Sequence, residues 1–297
     1  MSPVTTDEDT RQAITSAQHD ADAAAERSRV SVRTLHSHEE LADARALWDA
    51  VWPSPTNGTE VTSNHLRAIE HSGGYVGGAY DGDALVGATR AFVGRSLGAH
   101  GWHVHLHSHM TAVVPAAADR GIGTALKLHQ RAWAMRHGID RVVWTYDPLV
   151  RRNARLNLTK LGGTAVEYLV DFYGQMDDAL NRGEPSDRLL LRWDLASARV
   201  SDALAGATAP LSRDGWVSLG AEDALVADVH GPHVIEASSP VRLVALPEDI
   251  VAVRRDDPEL ARRWRLAVRE VLEPLMGGGG RVVALTTDGH YVVEVGS

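Results

Sequence analysis

Between Trp102 and Pro115 a histidine stands at every second position. His103, His105, His107 and His109 alternate with Val104, Leu106, Ser108 and Met110. Successive side chains of a strand point to opposite faces, so this period predicts a strand with one imidazole-lined face; a helix would scatter the rings. An imidazole titrates near neutrality, so such a face can take up a proton or bind zinc. The zinc reading has no carboxylate partner nearby in sequence, and no metal is expected. The strand halts at Pro115, and Arg120, Gly121, Ile122, Gly123 and Thr124 then open a helical pattern, "GIGTALKLHQRAWAMRHG". Glycines let a phosphate approach the backbone, and a helix N-terminus offers unpaired N–H groups with partial positive charge. Arg120 and Thr124 can add a charge and a hydroxyl. Taken alone, such a junction is also a common structural turn.

The elements that would position these residues interleave strands and helices from Val30 to about Leu195. "VSVRTL" reads as a strand and "SHEELADARALWDAVW" as a helix, with Ser37 as N-cap and Glu40 three residues on. "NHLRAIEHSGG" reads as a short helix closed by glycines, and "YVGGAYDGDALVGATRAFVG" as a hairpin turning at Asp81-Gly82. After the histidine strand and its helix come "RVVWTYDP", a strand halted by Pro148, a helix through "RRNARLNLTKLGG", and the strands "AVEYLVDFYG" and "DRLLLRWDL". Residues 1–29 are polar, acidic and alanine-rich, and are expected to be a disordered or frayed-helical tail. The stretch "ASARVSDALAGATAPLSRDG" reads as a connection to a smaller C-terminal α+β segment, residues 198–297. That segment holds short strands, a closing pair "RVVALTT" and "YVVEV", and a helix whose N-cap and first turn are Asp257 and Pro258.

Bulk composition narrows the classes. The chain of 297 residues is long enough for one large domain or two modest ones, and 44% hydrophobic with 23% charged residues is ordinary for a globular protein. A net charge of −9 supplies no basic stripe for phosphodiesters, so no nucleic-acid partner is expected. The absence of cysteine removes disulfides, thiolate nucleophiles and thiolate zinc sites. No apolar run approaches the roughly 18 residues of a membrane span, and the N-terminus lacks a signal-peptide core; a cytoplasmic location with no membrane partner is expected. The only lysines are Lys127 and Lys160.

The order of elements, together with "ADRGIG", resembles the GNAT acyltransferase superfamily over about Val30 to Leu195. Arg120, Gly121 and Gly123 fit its Arg/Gln-x-x-Gly-x-Gly/Ala motif, while Ala118 stands where the family has Arg or Gln. "LHSHM", "RGIGTALKL", "WTYDPL", "NLTKLG", "FYGQMDDALN" and "PSDR" further resemble a bacterial subgroup with an extra C-terminal segment, some neighbours of which N-acylate amino acids. The resemblance implies a mixed α/β fold around a central twisted sheet, spanning residues 30–197. It also implies acyl-CoA, acetyl-CoA or succinyl-CoA, as co-substrate. Pantetheine would lie along the backbone of Ala112, Val113 and Val114, and the pyrophosphate on Arg120 to Thr124; Asn153 joins the cofactor-binding set.

By the same likeness His107 matches the family's general base, with His109 next along the strand. Leu158 stands where a general-acid tyrosine is usual, so the departing thiolate needs another donor, a water or none; Tyr146 and Tyr173 are candidate donors. Arg90 and Arg188 are candidate forks for an acceptor or succinyl carboxylate. The implied reaction is direct attack by the amine of a small molecule, since there is no cysteine and no serine in a nucleophile elbow; a homodimer is compatible with it. Two other readings stay open: a non-catalytic acyl-CoA-binding or regulatory protein, favoured by Leu158 and Ala118, and other thioester chemistry such as decarboxylation.

Overall fold

The computed structural model describes residues 7–53, 61–98, 101–174 and 185–296. The first six residues of the expected tail, and all of "FYGQMDDALN" after Gly174, lie outside the described residues. The chain divides into two compact units, Met1–Val143 with Asp194–Ala196, and Trp144–Trp193 with Ser197–Ser297. This division falls elsewhere than the composition shift after residue 197.

The first unit runs α1 (Asp7–Ser28), β1 (Ser31–Thr34), α2 (His38–Val51), α3 (Ser63–His71), β2 (Tyr75–Asp81), β3 (Ala84–Gly98), β4 (Gly101–Val113) and α4 (Ile122–Arg136). A 3-10 turn, Pro115–Ala117, precedes α4, and β5 (Arg141–Tyr146) leaves the unit at its midpoint. The strands lie in the order β1-β2-β3-β4-β5. All neighbours are antiparallel except β4 and β5, which run parallel.

Two apolar layers cover this sheet. Leu41, Leu47 and Trp48 of α2 and Leu66 of α3 pack with Val76, Ala88, Met110 and Ala112. Ile122 and Leu126 of α4 pack with Ala79, Val32, Val86 and Val113 on the other layer. The capping box at α2 forms as its sequence dictates: Glu40 N–H donates to Ser37 Oγ (3.2 Å), and Ser37 N–H to Glu40 Oε2 (2.9 Å).

The tail expectation is corrected for Asp7–Ser28, which is helical. Its fully buried apolar residues are alanines, Ala17, Ala21 and Ala24, with Ile14 half-buried on the same spacing. Alanine carries high helix propensity but little hydrophobic signal, so this helix is fixed by its partner rather than by its own pattern.

The second unit continues with α5 (Arg151–Ala154), a π turn (Arg155–Lys160), β6 (Thr164–Leu169), β7 (Arg188–Asp194), α6 (Ala198–Leu204) and α7 (Arg213–Ser218). Then come β8 (Glu222–Asp228), β9 (Gly231–Val234), β10 (Val241–Ala245), α8 (Ile250–Asp256), α9 (Pro258–Gly277), β11 (Arg281–Leu285) and β12 (His290–Glu294). Its strands take the order β7-β6-β11-β12-β10-β8-β9. The expected connection thus contains α6 and the start of α7, with Ser197 and Ser212 as N-caps. Asp257 and Pro258 open α9 as read from the sequence. No helix among the described residues is long and apolar enough to cross a membrane.

Candidate functional site

The histidine strand is β4, and its alternation is interrupted once. Along the pairing with β3, Arg90 faces Met110 and Ala91 faces Ser108, so His109 is the residue in excess. This is a β-bulge, which bends the strand and shifts its register against β3. It also reverses which face each later residue takes. Ser108 points toward α4, where Lys127 Nζ donates to its hydroxyl at 2.8 Å. Before the bulge His107 therefore faces the α2 and α3 layer; after it, Met110 and Ala112 occupy that layer. The expectation of four imidazoles on one strictly alternating face is corrected at His109, which belongs to the kink.

The bulge still keeps the two rings together. His107 stacks on Phe92 with centroids 4.9 Å apart, and His109 lies 6.1 Å from His107 and 6.2 Å from Phe92. Burial pushes the His107 pKa down to about 4, reinforced by His109, His105 and Lys127. His109 is exposed, and partial loss of solvent, then the charge of Arg90, lowers its pKa as well. Both rings are neutral at neutral pH, the state from which an imidazole accepts a proton. His105 is buried and shifted down by burial, and His103 Nε2 sits 3.0 Å from Asp140 Oδ1. Among the described residues no three His, Asp or Glu side chains are grouped as metal ligands.

Beyond the bulge the strand leads into the glycine loop. Val114 N–H donates to Val86 O at 2.9 Å, so that amide is committed to β3. Alternation along the strand puts the amide and carbonyl of Val113 on the opposite edge. Of Ala112, Val113 and Val114, only Val113 thus turns its backbone away from β3. Asp119 and Gly121 take positive φ, 62° and 86°, and α4 begins at Ile122. Thr124 N–H and Ala125 N–H fold back on Gly121 O, and Gly123 has open space where a Cβ would stand. Ala118, in the place of the family's Arg or Gln, is exposed. The Arg120 side chain turns away from the helix axis: it donates to Asp81 Oδ2 (2.7 Å) and to the carbonyls of Ser28 and Arg29 (3.1 and 3.2 Å).

The remaining sequence candidates lie in the second unit. Tyr173 is accessible, and its hydroxyl shares a 2.8 Å hydrogen bond with Thr145 Oγ1. The Arg188 guanidinium is buried, 5.4 Å from the Tyr173 ring centroid. Tyr146 is buried, and loss of solvent raises its hydroxyl pKa beside Tyr291. Asn153 is half-buried on α5, and Leu158 is buried in the π turn. The adjacent Asp187 and Arg188 do not form the surface pair that adjacency suggests. Both are buried, and Asp187 accepts two hydrogen bonds from Arg269 (2.9 and 2.6 Å) and one from Tyr168 Oη (2.7 Å).

Sequence reasoning passed over Asp147, which accepts from Arg265 (2.8 and 2.9 Å), Arg254 (2.7 Å) and Leu149 N–H (2.9 Å). It also passed over the partnership of Lys127 with Ser108. A charged residue at an apolar position of α4 was the available signal.

Residues 41–162 match the family model described as acetyltransferase (GNAT) family. No curated protein matches. Among solved structures, an acetyltransferase of the GNAT family from Streptococcus pneumoniae is 14% identical, with a TM-score of 0.43 over 55% of this chain and 98% of that one. An IAA acetyltransferase from Bacillus cereus is 14% identical, with a TM-score of 0.42 over 56% and 99%. An aminoglycoside acetyltransferase from an uncultured soil metagenomic sample, in complex with sisomicin, is 19% identical, with a TM-score of 0.35 over 40% and 79%.

Proposed function

We propose, from the match of residues 41–162 to the GNAT acetyltransferase family model, that the protein is an acyl-CoA-dependent N-acyltransferase of the cytoplasm. It moves an acetyl or other short acyl group, succinyl included, to the amine of a small molecule such as an amino acid. The observation that carries this reading is the bulge at His109, beside the neutral ring of His107 and on the strand that leads into the glycine loop.

In the proposed reaction the amine nitrogen attacks the thioester carbon and the C–S bond breaks. The amine's proton passes to His107, directly or through water, and the CoA thiolate leaves. Val113 offers its backbone to pantetheine, and the amides of Gly121, Ile122 and Gly123, with the Thr124 hydroxyl, receive the pyrophosphate. With a thiol pKa near 8.5, the leaving group has no strict need of an acid. Tyr173 is the accessible one of the two tyrosines. Arg90 and Arg188 are the proposed carboxylate forks.

A thiol-release assay over acetyl-CoA and succinyl-CoA, with and without amino acids, tests this reading. Release that requires an amine, with an N-acyl product in the mass spectrum, is expected. Leu158 and Ala118 favour a non-catalytic acyl-CoA-binding protein, and that alternative is established if CoA thioesters bind but no thiol appears with any amine. Thiol release without amine, accompanied by carbon dioxide, would instead mark a decarboxylase.

A further inference from the structure

The loop assigned to the pyrophosphate is interlocked with the N-terminal helix at several points. The chain leaves α1 through Arg29 at φ 54°, with Arg29 N–H on Glu26 O (3.0 Å) and Val30 N–H on Ala25 O (3.1 Å). This is a left-handed helix end, which glycine adopts freely and arginine adopts only when its surroundings hold it. What holds it is Arg120. One arm of its guanidinium takes the carbonyls of Ser28 and Arg29, and the other takes Asp81 at the turn between β2 and β3. A cation at the C-terminal end of a helix also complements its dipole. The next residue, Gly121, lies so close to α1 that a Cβ would stand 3.1 Å from Ser28 Oγ. Further along, Arg131 of α4 reaches Asp20 of α1 (2.8 Å) and Leu195 O (2.9 Å), and Ala17, Ala21 and Ala24 are buried.

Two residues of the loop, Asp119 and Gly121, have positive φ, and Arg120 sits between them. Arg120 thus anchors this part of the loop through three partners, two of which belong to the end of α1. We infer that α1 is a working part of the acyl-CoA site: Arg120, Ser28 and Arg29 are positioning residues that set the glycine loop, and docking of α1 is thermodynamically linked to binding of CoA. On this assignment Arg120 acts through its grip on α1 and Asp81, and the phosphate contacts fall to the loop amides. The inference rests on the reading of the loop as the CoA site. Linkage is reciprocal: whatever undocks α1 weakens CoA, and CoA tightens α1.

The test is hydrogen exchange of the full-length protein with and without CoA, alongside calorimetric CoA affinity for wild type, Arg120→Met, Arg120→Lys and Asp81→Asn. Linked sites are usually coupled by about 5- to 150-fold, so Arg120→Met should weaken CoA by about tenfold. Arg120→Lys should recover only part, because an ammonium lacks the fork that spans Asp81 and two carbonyls. In wild type, CoA should slow exchange across Ala25–Val30. If wild type binds CoA but α1 exchange is unchanged and Arg120→Met or Asp81→Asn binds within twofold of wild type, the linkage is wrong and the loop reading stands. If wild type binds no CoA, the loop reading itself fails and the linkage with it. The exchange arm needs no variant, so a misfolded mutant leaves the test intact.

Discussion

Around β4 in the first unit and around Asp147 and Asp187 in the second, polar side chains are buried in opposite ways. In the first, the basic groups around β4 lose protons: loss of solvent brings Lys127 down to about 7 and His107 and His109 down to about 4. In the second, charges are buried as matched pairs. Asp147 is held below the usual carboxylate range by Arg265 and Arg254 against the opposing effect of burial, and Asp187 is clasped by Arg269. Desolvation penalises every ion, and only a geometrically satisfied counter-charge offsets it. A region that pairs its ions fixes α8 and α9 on the strands beneath them. A region that neutralises its bases keeps their nitrogens uncharged, with lone pairs open to a proton donor but with lowered basicity. The proton acceptor is proposed for the first region, and the ion pairs of the second are structural.

The largest effect expected from breaking this contrast is on turnover. Replacing His107 with Gln keeps size and hydrogen bonding but removes the proton acceptor, and loss of a positioned base lowers rate by about 100- to 10,000-fold. Thiol-release kinetics at saturating acetyl-CoA measure it, and a variant retaining more than about a tenth of the wild-type rate would move the role to His109. The second unit should respond in stability instead. Arg265→Met takes from Asp147 its two-pronged donor and leaves a buried carboxylate short of charge, a change of about 3–5 kcal/mol in folding free energy. Urea midpoints would measure it, and a shift below about 1 kcal/mol would mean the pair is no more than a surface bridge.

Legibility followed the range of the interactions. The period of two was readable as far as His107, because each position there depends only on its own strand. The bulge was not, since an extra residue is defined by its partner strand, not by β4. The capping box of α2 and the Asp257-Pro258 start of α9 are local and were readable. The ion pairs of Asp147 with Arg265 and Asp187 with Arg269 join residues 118 and 82 positions apart, and nothing in either segment specifies the other. The docking of helix α1 was missed, though a frayed helix was one expectation, because alanines at a buried stripe look like those of a solvated one. The glycine loop was visible as a motif, yet the destination of the Arg120 side chain depended on α1.

A smaller effect sharpens the contrast through pH. His107, His109 and His129 have folded pKa values depressed to about 4, so between the ordinary value of 6.5 and 4 the unfolded chain binds more protons than the folded one. Stability must therefore fall as pH drops through that window, with the loss complete below the folded values. Thermal melts from pH 7 to 4 should show this decline, and a His107→Gln, His109→Gln double variant should show a shallower one. Equal slopes would place the acid sensitivity elsewhere. The smallest effect is expected at the start of the strand: His103→Gln removes a half-buried ring beside Asp140 and should leave turnover within about twofold, a surface-type change. A larger loss in steady-state assays would extend the site along the strand.

The central claim is that the first unit keeps an uncharged imidazole on β4 ready to accept a proton. Carbon-13 chemical shifts of the His107 ring, assigned by comparison with His107→Gln and followed from pH 8 to 4, test it most directly. The expected result is a ring that stays neutral through pH 6 and titrates near 4. A ring that titrates at or above its ordinary value of 6.5 would contradict the account, because His107 would then be a solvated or ion-paired group and not the base of a desolvated site.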